Sequence, residues 1–313
     1  MYALDEVYGP RAYHAFQKDG AFKNGLKTER QPSLDLFDHD PLIATSYAEL
    51  VDIVSFLSVM NKRHSLYFRG QSNHRPPIPT IFRPIWRSLS GKQHEISNDP
   101  VLRQRIYDCL NGRISKIVLS VCLEFPMPRM NTLKMFREAV WAVAQHYELW
   151  PTPVLDITPN LRAAASFGLP DGQSEGNLYI AAMPPSTNSI TFEADQHIVL
   201  ARLQAVCPPI AKRPHYQDGF LVGRFPFSGP NPNQIDTDPS KFSNLSRRLV
   251  ARIVLKDQRS ADNSSLGRSF WSDDFPRMST TSLMPVQAED ELLRRFMPHA
   301  NEIDKLMHDI CTN

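Results

Sequence analysis

Proline outnumbers glycine two to one in this chain, 26 residues against 13. A proline ring locks φ near −65° and removes an N–H, so prolines border helices and strands rather than sit inside them. The expectation is many rigid, extended connections and few flexible glycine loops. The densest case is residues 76–84 (PPIPTIFRP), which cannot be regular helix and is expected to run extended across a surface. The scarce glycines also form no phosphate-cradling loop. Neither GxxxxGK[ST] nor GxGxxG occurs, which counts against the P-loop NTPase and Rossmann classes.

The 313 residues amount to about two domains at ~150 residues each, although one larger unit also fits. With 42% apolar residues the chain can build an ordinary globular core. Thirty-five Lys and Arg against 33 Asp and Glu leave a net charge of +2, which argues against a wholesale nucleic-acid or membrane coat. Local basic patches remain, at Lys62-Arg63-His64 and from Arg83 to Arg87. Cys109, Cys122, Cys207 and Cys311 lie far apart without a CxxC pair, so no structural zinc site and no other metal are expected. No apolar run approaches the ~20 residues of a membrane helix, and MYALDEVYGP carries no basic n-region. The expected setting is a reduced cytoplasm with no membrane partner.

Residues 1–45 are polar and mixed, an N-terminal arm or small helical cap. Ser46-x-x-Glu49 reads as a capping box opening a helix whose Leu50, Ile53, Val54 and Leu57 face a core. Strands are expected at 65–70, 154–155, 177–182, 197–202, 220–222 and 249–255, and helices at 100–120 and 130–149, the second with Phe136, Val140, Val143 and Ala144 at helical spacing. In Thr158-Pro159-Asn160, Thr158 reads as the cap of a helix over 161–167, with Gly168 as its stop. Residues 227–240 mark a loop or boundary, and 258–285 is mostly loop. Amphipathic helices over 289–296 and 300–311, split by Pro298, close the chain as core or a packing cap. The pattern is α+β, with a main domain over 46–256 and a loop-rich segment, 257–313, ending in a helical pair.

Three clusters carry more than patterning. The first is Tyr67-Phe68-Arg69-Gly70-Gln71 with Pro79-Thr80-Ile81-Phe82-Arg83. The second runs Gln145-His146-Tyr147-Glu148-Leu149-Trp150-Pro151-Thr152-Pro153-Val154-Leu155-Asp156-Ile157-Thr158 and continues through Ala163 to Phe167. The third is Arg213-Pro214-His215-Tyr216-Gln217-Asp218-Gly219-Phe220. In this order and spacing they resemble the FRG domain, named for its Phe-Arg-Gly tripeptide. The resemblance spans residues 66–220, about half the chain. A lone tripeptide would carry no weight, whereas the long QHY…PT…LD-x-T block is specific. Three departures stand out: Trp150 is an insertion before Pro151-Thr152, Glu148 stands where the family has Gly, and Pro153 and Ile157 replace Arg and Trp.

The FRG layout is in turn similar to the ADP-ribosyltransferase superfamily. The resemblance implies mixed sheets with flanking helices, NAD as co-substrate and a macromolecular target, protein or nucleic acid, as in a bacterial toxin or phage-defence effector. It puts Arg69, Thr158 and Gln217 in the catalytic places and Arg69, Gly70, His146, Tyr147, Asp156 and Tyr216 around the cofactor. A guanidinium fork at Arg69 matches pyrophosphate oxygens, and Gly70 permits close approach. Thr158 would hold the ribose, and Tyr147 or Tyr216 would cover the nicotinamide. The family's late Glu steadies the oxocarbenium-like charge of glycosidic cleavage. Gln217 in that place positions a hydroxyl but cannot act as a base. Asp156-Ile157-Thr158 replaces the usual Ser-Thr-Ser.

Each of these residues also has a structural reading. Arg69 would hydrogen-bond backbone at a strand end, Asp156 would accept from Arg or N–H groups, and Thr158 would cap a helix. His146 would be a satisfied semi-buried histidine and Gln217 a turn residue before Gly219. The functional alternative to an enzyme is therefore a non-catalytic FRG binding module for a nucleotide or protein ligand. A nucleic-acid-associated factor using the two basic patches is the third, disfavoured by the near-neutral charge.

Overall fold

The computed structural model describes residues 6–19, 29–30, 41–126, 130–186, 188–194, 197–225, 248–258 and 269–312. The expected boundary over 227–240 and much of the N-terminal arm lie outside the described residues. In chain order the described strands are β1 (Glu6–Val7), β2 (Glu29–Arg30), β3 (Leu42–Ala44), β4 (Ser65–Gln71), β5 (Ile85–Arg87), β6 (Gln93–Glu95), β7 (Val154–Ile157), β8 (Glu175–Met183), β9 (Ile190–Glu193), β10 (Ile198–Arg202), β11 (Phe220–Arg224) and β12 (Leu249–Lys256). The architecture is mixed α+β, with several sheets and many short helices.

The chain divides into two compact units, each assembled from three separate stretches. Unit one comprises Met1–Pro77, Thr158–Pro185 and Ser243–Ser279; unit two comprises Ile78–Ile157, Ser186–Phe242 and Thr280–Asn313. Residues of the expected 46–256 domain therefore contribute to both units. The division between Ile157 and Thr158 falls inside the LD-x-T motif itself.

Unit one is built on a four-stranded sheet of order β3-β12-β8-β4, with β8 antiparallel to both neighbours and β3 parallel to β12. The helix Tyr47–Met60 buries Leu50, Ile53, Phe56 and Leu57 in the same core as Phe68, Leu178, Ile180, Ile253 and Leu255. Each such aliphatic side chain contributes ~1.5–3 kcal/mol by leaving water. The expected capping box is present with one shift. Ser46 accepts from the Glu49 N–H at 3.1 Å, while Glu49 reaches back to the Thr45 N–H at 2.7 Å. At the other end Asn61 donates to the Leu57 and Tyr8 carbonyls, both at 2.8 Å, which ties the segment before the helix Pro10–Asp19 to this core.

A second helix, Leu161–Gly168, lies on the strands almost backbone to backbone. A Cβ at Gly70 would come within 1.8 Å of the Ala164 carbonyl oxygen and 2.5 Å of the Gly168 nitrogen. One at Gly176 would meet the Gly168 oxygen at 1.8 Å. The helix is capped by Asn160, whose side chain accepts from the Ala163 N–H at 3.0 Å, and not by the expected Thr158. Thr158 exchanges backbone hydrogen bonds with Phe68 at 2.7 and 2.9 Å, so its backbone is committed to a bridge three residues before the helix begins.

Unit two carries an antiparallel sheet of order β7-β11-β10-β9 and the β5-β6 hairpin. Its central helix, Arg137–His146, is buried from Glu138 through His146. Phe136 interrupts the helix expected over 130–149, leaving Met130–Met135 as a separate turn and a half. The helix expected over 100–120 is continuous but changes pitch. Pro100–Cys109 passes through a π-helical turn, Leu110–Ile114, into Ser115–Cys122, and the Ser115 hydroxyl donates to the Leu110 carbonyl at 2.7 Å. The proline-rich 76–84 segment is extended at first and then tightens into a 3-10 turn, Thr80–Phe82. The C-terminal helices are Glu291–Phe296 and Ala300–Thr312, joined by a 3-10 turn at Met297–His299.

Candidate functional site

The residues singled out by the motifs fall into two groups. Arg69, Gly70 and Thr158 belong to unit one; His146, Tyr147, Asp156, Tyr216 and Gln217 belong to unit two.

In unit one, Arg69 stands near the end of β4, half-buried, with its Nε donating to Gln71 Oε1 at 3.0 Å. The strand period turns Tyr67, Arg69 and Gln71 to the face opposite Phe68 and Gly70. The side-chain-free face of Gly70 is filled by the helix Leu161–Gly168, so the close approach it permits is that of a helix. This corrects the expected cofactor contact at Gly70: backbone atoms already occupy that space. The Thr158 hydroxyl accepts from the Asn160 N–H at 2.9 Å, leading the chain into the helix.

In unit two the QHY motif builds a buried polar lattice. Helix Arg137–His146 ends against β7, whose Asp156 carboxylate receives Gln145 Nε2 at 3.0 Å and His146 Nδ1 at 3.3 Å. The Gln145 carbonyl oxygen accepts two hydroxyls, Thr80 at 2.7 Å and Thr152 at 2.6 Å, and the Thr152 N–H returns to Thr80 Oγ1 at 2.8 Å. Thr80 and Thr152 were legible inside the PTIFR and PTP strings as residues but not as partners. Asp156 keeps a third of its side-chain surface exposed, against 1% for His146. The lattice therefore holds this carboxylate through two donors while part of it stays exposed.

His146 is not a free base. Burial lowers its pKa, outweighing the Asp156 hydrogen bond, so the ring is neutral at pH 7. A carboxylate cannot donate, so Nδ1 carries the proton and Nε2 is a bare nitrogen, buried and without a partner. His146 positions Asp156.

Tyr147 is fully buried, and its hydroxyl donates to Asp290 at 3.2 Å. Burial, with Cys207 and Asp290, pushes the phenol far above its ordinary value. Tyr147 therefore cannot cover a nicotinamide ring, which corrects that expectation. Asp290 also accepts the Arg213 and Leu293 N–H groups, at 2.9 and 3.0 Å, and caps the helix Glu291–Phe296. Nothing in the sequence marked this aspartate, which pairs with a residue 143 positions away. Glu148, standing where the FRG pattern has Gly, adopts φ 56°, the left-handed conformation that favours glycine. Its carboxylate lies 3.4 Å from Arg213.

Gln217 ends the short helix Lys212–Gln217. Its amide donates to the Leu283 carbonyl at 2.6 Å and lies 3.4 Å from Met284 Sδ. Asp218, the carboxylate beside it, takes the left-handed C-cap conformation and accepts from Gln204 at 3.1 Å. Tyr216 is 42% exposed and is the aromatic of this motif available to a ligand. Arg83 donates through Nε to the Ile78 carbonyl at 2.9 Å.

Among the described residues no group of three or more His, Cys, Asp or Glu side chains is placed to hold a metal ion. No described helix is long and apolar enough to cross a membrane. Comparison with protein-family models, with curated proteins and with solved structures returned no match in any of the three.

Proposed function

We propose that this chain is an FRG-type module with a transferase-like layout that binds a nucleotide ligand, NAD or a close relative, without turning it over. The observation that carries the absence of turnover is Gln217. The late position that steadies oxocarbenium charge in the transferases holds an amide here, and that amide is spent on the Leu283 carbonyl. Binding is supported by Arg69, whose guanidinium is aligned by Gln71 on the face of β4 opposite Phe68 and Gly70. A cytoplasmic setting and a macromolecular partner, protein or nucleic acid, belong to the same proposal.

One observation favours the enzymatic reading as the alternative. Asp156 is a fixed, partly exposed carboxylate, and such a group can steady developing positive charge. In that reading the chain is an NAD-using ADP-ribosyltransferase, a toxin or phage-defence effector.

Calorimetric titration of NAD into wild type, Arg69→Ala and Arg69→Lys, with a melting curve for each, tests the binding reading. Charge-assisted bidentate bonds are worth ~1.5–3 kcal/mol, so both variants should weaken binding about ten- to a hundredfold, Lys nearly as much as Ala. Variants that melt earlier yet bind NAD like wild type would make Arg69 a structural residue. Wild type silent at millimolar NAD would remove the ligand.

A further inference from the structure

Strand register places Arg69, Tyr179 and Arg252 in one row across three neighbouring strands. Arg69 on β4 opposes Tyr179 on β8, and Tyr179 opposes Arg252 on β12. Directly opposed residues share a face, so two guanidiniums flank one phenol. That face is opposite Gly70, Leu178 and Ile253, which pack toward the core. Adjacent strands lie ~4.8 Å apart, which separates the two arginine backbones by about 10 Å, a gap two long side chains can close over the ring between them.

Tyr179 is 2% exposed, and its hydroxyl donates to the Arg75 carbonyl at 3.0 Å, so the phenol is a fixed floor. Burial raises its pKa, and Arg252 and Arg69 both act against that rise, which sets both charges within electrostatic reach of one hydroxyl. Arg252 is the unbalanced member. Its Nε is buried without a hydrogen-bond partner, and no carboxylate pairs with it among the described residues. Lys256, four residues on and on the same face, differs: it pairs with Glu175 at 3.8 Å. A buried guanidinium nitrogen without an acceptor is costly, and two like charges on one row repel. A bound anion with two charged centres removes both costs.

We propose that Arg252, Tyr179 and Arg69 form a diphosphate clamp on unit one, with Arg252 as a second binding arginine. The clamp takes the pyrophosphate bridge of a nucleoside diphosphate or its ester. It deepens the nucleotide reading above and rests on that reading for the rest of the ligand, not for the diphosphate.

The test titrates inorganic pyrophosphate, inorganic phosphate, ADP and NAD into wild type, Arg252→Lys and Arg252→Gln, with melting curves. Wild type should bind pyrophosphate more tightly than phosphate and melt higher in its presence. Both variants should lose at least about tenfold in pyrophosphate and ADP affinity, because neither restores a bidentate fork. Arg252→Gln should melt no lower than wild type without ligand, since it removes an unpaired charge. Variants that bind pyrophosphate like wild type, or wild type that fails to bind it at millimolar concentration, would overturn the clamp. Pyrophosphate binding with NAD silent keeps the clamp and rejects the nucleotide reading. NAD binding that is insensitive to Arg252 does the reverse.

Discussion

Replacing Gly70 with alanine separates packing from ligand binding at the FRG tripeptide. The added methyl would lie 1.8 Å from the Ala164 carbonyl oxygen and 2.5 Å from the Gly168 nitrogen. Both obstacles are backbone atoms, so no rotamer change relieves them, and the helix Leu161–Gly168 must move off β4. Overpacking of a tight core costs ~1–3 kcal/mol, occasionally more, and two backbone clashes put this case at the upper end. At roughly 2–4 °C per kcal/mol, a cost of about 3 kcal/mol lowers the melting temperature by roughly 6–12 °C. The control is Gly112→Ala in the π-helical turn, where a Cβ meets nothing within 4 Å. Helix propensity makes that change neutral or stabilising by up to ~1 kcal/mol. Thermal melts by circular dichroism of both variants decide the matter. A Gly70→Ala protein that melts within about 1 °C of wild type would refute the packing account and return Gly70 to a ligand role.

Gln217→Ala leaves the Leu283 carbonyl without its 2.6 Å donor, and should cost ~1–3 kcal/mol by denaturant unfolding. An unchanged midpoint would show that the amide serves only a ligand. Glu148→Gly should be more stable than Glu148→Ala by ~1 kcal/mol, since both lose the Arg213 contact but only glycine adopts φ 56° without strain; equal midpoints would contradict the strain. Burial lowers the pKa of His146 below its unfolded value of about 6.5, so the unfolded chain binds the proton more readily. Its contribution to stability is complete above that pH and declines as pH falls toward the folded pKa. Wild type should lose more melting temperature than His146→Gln on acidification from pH 7 to 5, and parallel curves would count against a buried neutral ring.

Local signals in the sequence were read most reliably. The strands expected at 65–70 and 249–255 and the Ser46 box correspond to elements that exist, because their causes lie within a few residues. Thr158 and Asn160 illustrate the limit of such reasoning. Both are capping residue types, and the choice between them was made by Phe68, ninety positions earlier, which claims the Thr158 backbone. The same limit hid the strands β3, β5, β6 and β9, each only three or four residues long. At the candidate site, Gln145, His146 and Asp156 were visible as a motif, whereas Asp290 became apparent only through its partners Tyr147 and Arg213. The two units, each assembled from three stretches, leave no composition shift at Ile157 and Thr158 to betray them.

Binding without turnover is tested most directly by equilibrium dialysis of the full chain against NAD labelled in the nicotinamide ring. The same sample reports retention of the label and its chemical form. The account predicts intact labelled NAD held on the protein side, lost in Arg69→Lys, with no free nicotinamide above the protein-free control. Labelled nicotinamide accumulating with time, and abolished by Asp156→Asn, would contradict it and establish the enzyme instead.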